Sequence, residues 1–230
     1  MLSPVPAEIA LLVQVPRHRL CTLGQRKQLF DALENGDIET VETMIMRSLD
    51  PNAQDDDGFS VLQVAARFGK LQMLNLLLEA GAQTDLLDTS CWGQTALHDA
   101  AGQGHVECVR SLLPASANPN ILNSHGHTPL SQAVGRDVFS VYDFVDAVRT
   151  VLRAAASASC KCSGLSPILQ AIENQSYKYH IVWHLLEAAE DPNCSSGQHD
   201  TALHIAAREN MAVAIECWSC NEKQRRTNSI

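Results

Sequence analysis

The chain has 230 residues, enough for one sizeable domain or two small ones, and 45% of them are apolar, as in an ordinary globular protein. Its formal net charge of -9 argues against nucleic acid and membrane surfaces as partners, because phosphate-rich surfaces repel an acidic protein. Aromatic residues make up only 5%, which favours helices packed through small side chains.

The first segment, residues 1–24, lacks the positively charged start of a secretory signal, and we expect it to be a flexible extension. No stretch of the sequence is long and apolar enough to predict a membrane span. Eight cysteines are spread through a chain that is too large and apolar to need disulfides. This pattern predicts reduced thiols and a location in the cytoplasm or the nucleus.

From residue 25 onward the sequence repeats itself. The segment "GFSVLQVAARFGKLQMLNLLLEAGA" at Gly58 recurs as "GQTALHDAAGQGHVECVRSLLPASA" at Gly93, and a degenerate copy begins with "RKQLFDALENGDIETVETMIMRSLDPN" before them. The equivalent Ser or Thr of the last five copies recurs in steps of 35, 33, 38 and 35 residues. The six copies span about 25–57, 58–90, 91–123, 124–161, 162–196 and, incompletely, 197–218.

A complete copy predicts two amphipathic helices followed by a turn. In the third copy Leu97, Ala100 and Ala101 lie at i, i+3 and i+4 on one helix face, and Val109 belongs to a similar stripe in the second helix. Gly104 separates the two helices, at a position typical of the left-handed residue that ends a helix. Aspartates, asparagines and a closing glycine follow the second helix and predict turns.

These copies resemble the ankyrin repeat, whose period is about 33 residues and whose first helix opens with T-P-L-H-x-A. The resemblance covers roughly residues 25–218 and implies an all-α solenoid of helix-turn-helix units with protruding β-hairpin fingers. It further implies a monomeric protein-protein interaction module, an adaptor, scaffold or inhibitor, that needs no cofactor. No phosphate-binding loop, nucleophile elbow or metalloprotease motif occurs, so enzymatic activity is not predicted.

The family's variable positions, around the finger glycine and after the paired alanines of the first helix, predict the binding face. In this chain they are Asp56, Asp57, Phe59, Arg67, Phe68, Cys91, Trp92, Gln94, Gly102, Gln103, Ser124, His125, His127, Gly135, Arg136, Arg208 and Glu209. Phe59, Phe68 and Trp92 are expected to cluster with Arg67, because these residue types anchor interfaces. The acidic run "DDDG" favours a partner with a basic segment.

Three copies depart from the pattern. The finger before Gly93, "DLLDTSCWG", is two residues longer than its counterparts, and its Leu86, Leu87 and Trp92 predict either a contact surface or packing on the neighbouring repeat. About six extra residues in the fourth copy predict a longer second helix or preceding loop. The sixth copy ends in a polar tail, residues 219–230, either a terminal cap or the end of a truncated array; we favour truncation.

Histidines and one cysteine of the repeats are predicted to be structural. His98 and His204 occupy the T-x-L-H position, where the family's histidine hydrogen-bonds between neighbouring units, so neither is predicted to bind metal. His105 is predicted to start a helix or lie on the surface. Cys108 is predicted to act as a small apolar side chain, since Met73 replaces it in the preceding copy.

Two cysteine pairs leave another class of function open. Cys217 and Cys220 have the C-x-x-C spacing of zinc and redox sites, while Cys160 and Cys162 have the weaker C-x-C spacing. A zinc- or redox-linked thiol protein is therefore an alternative to a binding module.

Two further expectations come from the resemblance. The segments "GHVECVRSLL" and "DPNC" are similar to the ankyrin portions of ubiquitin-ligase receptors that end in a suppressor-of-cytokine-signalling box. No such box follows here, so the substrate-recognition part of such a receptor, in a longer form of the chain, is a second alternative. Asn120 and Asn193 each lie eight residues after a Leu, a spacing that asparaginyl hydroxylases favour in the family's fingers.

Overall fold

The computed structural model describes residues 23–47, 50–135, 146–151 and 204. The helices with defined bounds are α1 (Leu23–Asn35), α2 (Ile38–Met46), α3 (Val61–Arg67), α4 (Leu71–Glu79), α5 (Ala96–Gln103), α6 (Val106–Leu112) and α7 (Pro129–Gly135). The only β-type pairing in the described ranges is a single antiparallel bridge between Gln54 and Ser60. The predicted all-α class is therefore confirmed.

The helices stack in two rows. Within a repeat α1 packs on α2, α3 on α4 and α5 on α6. Between repeats α1, α3, α5 and α7 contact one another in that order, and so do α2, α4 and α6. This order is that of a solenoid, in which each unit contacts its neighbours along the chain.

A left-handed glycine joins the two helices of each described pair. Gly36, Gly69 and Gly104 have φ of +79°, +64° and +75°, which confirms the conformation predicted for Gly104. The amide after each of these glycines donates to a carbonyl five residues earlier at 2.9 Å, as in His105 to Ala100. Such bonds satisfy carbonyls that the end of the first helix leaves open.

Three first helices, α3, α5 and α7, begin after a Ser or Thr that caps them. Ser60 and Thr95 accept the amides of Gln63 and His98, whose side chains in turn accept the amides of Ser60 and Thr95. Thr128 accepts the amide of Ser131 in the same way at 3.2 Å. The Thr of the repeat signature is thus an N-cap, which typically contributes about 1 kcal/mol.

An equivalent leucine from each of the four described repeats lies in the core. Leu29, Leu62, Leu97 and Leu130 occupy equivalent positions and are at most 1% exposed. Burying each leucine contributes roughly 2 kcal/mol. Alanines one turn later, such as Ala65 and Ala100, are fully buried as well, and their small size lets neighbouring first helices approach closely.

Several predictions of domain organisation lie outside the described residues: nearly all of the extension 1–24, the copy at 162–196, all of 197–218 except His204, and the tail 219–230. The longer second helix or preceding loop predicted for the fourth copy is described only at 146–151, which is helical and buries Ala147, Val148 and Val151. Within the described part of the chain, no helix has both the length and the apolar character to cross a bilayer.

Candidate protein-binding face

Three fingers project between successive helix pairs: the first finger (residues 52–59), the second finger (85–94) and the third finger (120–127). Each is closed by one Asx residue, Asp55, Asp88 or Asn123, whose amide donates at 2.9 Å to a carbonyl across the turn. The side-chain oxygens of these same residues accept further amides inside the turn. One polar side chain therefore holds each finger in shape.

The second finger is longer than the other two, as predicted. Its closing bond joins Asp88 to a carbonyl six residues on, whereas Asp55 and Asn123 reach four residues on. Asp88 is buried and uses both carboxylate oxygens: Oδ1 accepts the amides of Ser90 and Gly93 at 3.0 and 3.2 Å, and Oδ2 accepts the amide of Gln94 at 2.6 Å. The extra residues bulge at the tip and leave the closing bond in place.

Neighbouring fingers touch at glycines. Gly58 has φ of +83°, and a Cβ there would overlap the side chain of Thr89 and lie 2.9 Å from its backbone nitrogen. At Gly93 a Cβ would overlap the Ser124 hydroxyl, and the Ser124 amide donates to the Trp92 carbonyl at 2.9 Å. The fingers are thus packed into one continuous surface.

An aromatic pair joins the second and third fingers. The rings of Trp92 and His125 lie 4.7 Å apart between centroids, with 34° between their planes. Trp92 is nevertheless 51% exposed, and Leu87 in the same finger is 45% exposed. The predicted packing on the neighbouring repeat is therefore present, and half of the Trp92 surface still faces solvent, while the contact surface stays a prediction.

A second pair joins the first finger to α3. The Arg67 guanidinium carbon lies 4.5 Å from the centroid of the Phe59 ring, and Arg67 Nε is 3.2 Å from Oδ1 of the buried Asp99 in the next repeat. Phe68 follows Arg67 at the end of α3 and is 48% exposed. Of the predicted cluster, Phe59 and Arg67 are in contact, whereas Trp92 packs on His125, which was not part of that prediction.

Of the described residues predicted for the binding face, seven have exposed side chains and four have half-buried ones. Exposed side chains are those of Asp56, Asp57, Phe68, Cys91, Trp92, Ser124 and His125. Half-buried ones are those of Phe59, Arg67, Gln103 and His127. Arg136, Arg208 and Glu209 lie outside the described residues.

Two predicted positions are buried instead. Gln94 is 3% exposed, because its amide binds Asp88 Oδ2 and its carbonyl accepts Gln63 Nε2 at 2.6 Å. Gly102 is buried against Gln132, whose Cγ would lie 3.0 Å from a Cβ at Gly102. Both are corrections to the prediction: in this structure their surfaces belong to contacts between repeats.

Sequence reasoning missed Leu122, which is 50% exposed. It directly precedes Asn123, as Leu87 directly precedes Asp88 in the second finger. Aligning the fingers on their Asx residues, and not on their glycines alone, gives the signal that would have found it.

His98 bridges two repeats in the neutral form. Its Nε2 lies 3.0 Å from the His127 carbonyl oxygen, which only accepts, and its Nδ1 accepts the Thr95 amide at 3.2 Å. Both contacts require a proton on Nε2 and a lone pair on Nδ1. Burial lowers the pKa of His98 to about 4, which is consistent with this form.

The bridging role predicted for the T-x-L-H histidine is confirmed at His98. At the other such position, His204 is helical and exposed. His105 precedes α6 as its N-cap residue, with Nε2 3.1 Å from the Arg67 carbonyl oxygen, so the predicted helix start is confirmed.

Two cysteines are described. Cys108 is 1% exposed in the core, and burial, then the charge of Glu107, raise the pKa of its thiol to about 11. This confirms its predicted apolar character. Cys91 is exposed on the second finger. Among the residues described, no three His, Cys, Asp or Glu side chains form a group that could hold a metal ion; Cys160, Cys162, Cys217 and Cys220 are not among them.

The two asparagines predicted as hydroxylation sites fall on either side of the described boundary. Asn120 is exposed in the third finger, and its amide donates to Asn118 Oδ1 at 3.0 Å. Asn193 lies outside the described residues. Hydroxylation of both stays a prediction.

Comparisons with known proteins agree with this geometry. The family model for "Ankyrin repeats (3 copies)" matches residues 29–123 and 80–141. A putative ankyrin repeat protein of fowlpox virus is 28% identical over 228 residues, 93% of this chain and 64% of that protein. The human SH3 and multiple ankyrin repeat domains protein 2 is 30% identical over 197 residues, 84% of this chain and 10% of that protein. The chain thus spans less than two thirds of the length of these relatives.

A solved structure shares the fold over most of its length. The ankyrin repeat domain from Acinetobacter baumannii AYE superposes with a TM-score of 0.75 at 25% identity, covering 85% of this chain and 97% of that one. Its helix pairs and those described here follow one architecture. The chain therefore belongs to the ankyrin repeat family, with repeats matched between residues 29 and 141.

Proposed function

We propose that the three fingers, together with the C-terminal ends of α3 and α5, bind a partner protein, and that the chain serves as an adaptor, scaffold or inhibitor without catalysing a reaction. Ankyrin repeats generally mediate protein-protein interaction, and stacked repeats offer extended surfaces for it. The exposed thiol of Cys91 fits a reducing compartment such as the cytoplasm or nucleus.

The exposed aromatic side chains are the observation that carries this proposal. Trp92 and Phe68 belong to neighbouring repeats, and each leaves about half of its surface in solvent, 51% and 48%. A large aromatic side chain that is left in water gains free energy when a binding partner buries it. Such residues dominate the binding energy of interfaces. Arg67, the last residue of α3, lies over the Phe59 ring and is paired with Asp99, so it adds a pre-ordered cation next to Phe68 in the chain.

The test is an affinity pull-down with cross-linking mass spectrometry, comparing the native chain with the double variant Phe68→Ala/Trp92→Ala. We expect the double variant to weaken capture of the specific partner by about 30-fold or more, as for the loss of interface anchors. Met46→Ala is the matched control, because Met46 is a 77% exposed apolar residue at the end of α2. Capture unchanged by the double variant, or lost equally in the control, contradicts the assigned face.

A further inference from the structure

Two sets of equivalent positions change character along the fingers. One set directly precedes the finger glycine and the other directly precedes the Asx residue. Their members in the first, second and third fingers are Asp57, Trp92 and His125 in one set, and Gln54, Leu87 and Leu122 in the other. In both sets the first finger carries a polar residue and the next two carry aromatic or apolar ones.

The apolar part of this surface is continuous between two fingers. Trp92 packs on His125 at 4.7 Å, so their rings form one face across the second and third fingers. Leu87 and Leu122, 45% and 50% exposed, lie at equivalent places on the same two fingers. Single exposed apolar residues are common on protein surfaces, but neighbouring ones on adjacent repeats mark a site of contact.

The first finger adds negative charge beside this apolar surface. Asp56 and Asp57 are exposed at its tip. The carboxylate of Asp55 is used within the finger, where Oδ1 accepts the amides of Asp57 and Phe59 at 3.0 and 2.8 Å. Two cations contact this finger: Arg67 is paired with Asp99 of the next repeat, and Arg26 Nη1 donates to the Gln54 carbonyl at 3.2 Å. The charge of Asp56 and Asp57 is therefore complementary to a cation that a partner brings.

We propose that the three fingers bind an extended partner segment in which two adjacent basic residues contact Asp56 and Asp57, and large apolar side chains contact the Leu87, Trp92, Leu122 and His125 surface. This inference rests on the proposed function and names the chemistry of the partner. Neighbouring helices pack about 8–10 Å apart, and an extended chain advances about 3.3 Å per residue, so successive fingers correspond to about three residues of partner. The expected pattern is two basic residues, an apolar residue about three positions away, and a second one about three further, in either chain direction.

A random peptide library displayed on phage and selected on the full chain tests this pattern. We expect enriched peptides to combine a basic pair with spaced large apolar residues, and their synthetic forms to bind in fluorescence anisotropy. The variant Asp56→Asn/Asp57→Asn should weaken them roughly fivefold and reduce the salt dependence of binding, as for exposed ion pairs. Leu87→Ser/Leu122→Ser should weaken them about tenfold, while Met46→Ser leaves binding unchanged.

Circular dichroism of each variant checks that the fold is intact, which the exposure of all five replaced side chains leads us to expect. Enriched peptides without basic residues, peptides that bind both double variants as tightly as the native chain, or a selection that enriches nothing would overturn the inference. Peptides whose affinity is unchanged by both finger variants but reduced by Phe68→Ala would contradict this inference and still support the proposed function, with binding at the helix ends. Peptides whose affinity is unchanged by all three variants would contradict the proposed binding face as well.

Discussion

His98 and Gln63 make the same two contacts with different chemistry. Each caps the first turn of its helix by accepting the amide of the preceding Thr or Ser, and each donates to a carbonyl of the next finger, at 3.0 Å for His98 and 2.6 Å for Gln63. Of the two, only histidine can gain a proton in the accessible pH range. The junction that His98 forms is therefore sensitive to acid, and the junction that Gln63 forms is not.

Replacing His98 by Gln should make the protein less sensitive to acid. The pKa of His98 is lowered from 6.5 to about 4 in the folded chain, so the unfolded chain takes up the proton first as the pH falls. The contribution of neutral His98 to the free energy of unfolding is fully present above pH 6.5. It is lost as the pH falls towards 4, by on the order of 3 kcal/mol over the whole window. We expect His98→Gln to remove most of this loss in urea unfolding at pH 7.5, 6 and 5.

The reciprocal variant Gln63→His provides the matched comparison and should steepen the dependence on pH. A residual dependence is expected in His98→Gln, because burial also lowers the pKa of His127, with the same sign. Equal slopes for the native chain and His98→Gln between pH 6.5 and 5 contradict this account of the junction.

At the scale of elements, the sequence predicts what short-range patterns determine. The helix starts at the signature Thr or Ser, the left-handed Gly104 and the extended second finger each depend on residues close in the chain, and the structure confirms them. Contacts between repeats were less predictable. The burial of Gln94 depends on Gln63, 31 residues earlier, and the packing of Trp92 depends on His125, so a pattern within one copy does not contain either.

Gly58 and Gly81 show two different reasons why a position requires glycine: a left-handed backbone conformation and the close approach of a neighbouring finger. Both have positive φ, +83° and +86°, but a Cβ at Gly81 meets nothing within 4 Å whereas one at Gly58 overlaps Thr89 of the next finger. We expect Gly81→Ala to lower the free energy of unfolding by about 1 kcal/mol through backbone strain alone. Gly58→Ala should cost about 3 kcal/mol, because overpacking adds to the strain. If both substitutions lowered the free energy of unfolding equally in chemical denaturation, the close approach of the fingers at Gly58 would not contribute to stability.

At the scale of the whole molecule, stability passes from one repeat to the next. Helix α5 packs against α3, α6 and α7, and all of its residues except Gln103 are buried. Stacks of this kind behave as a sum of repeat stabilities and nearest-neighbour interfaces. A defect in α5 should therefore act first on the repeats beside it.

Leu97→Ala tests this propagation. Leu97 is fully buried in α5, and its truncation should cost roughly 3 kcal/mol through the lost contacts and the cavity left behind. In hydrogen exchange with mass spectrometry we expect the largest acceleration in α3, α5, α6 and α7, and a smaller one in α1 and α2. A uniform acceleration over all of these helices would point to all-or-none unfolding instead.

The way Asp88 closes the second finger has a consequence for how such a protein diversifies. One carboxylate fixes both ends of the loop, so two residues were accommodated between them while the flanking helices kept their places in the stack. Loop length is thereby uncoupled from the register of the solenoid. Residues added at the tip, with the bonds from Asp88 to the Gly93 and Gln94 amides kept, change what the surface presents while the loop stays closed, which makes this finger a suitable place to graft new specificity.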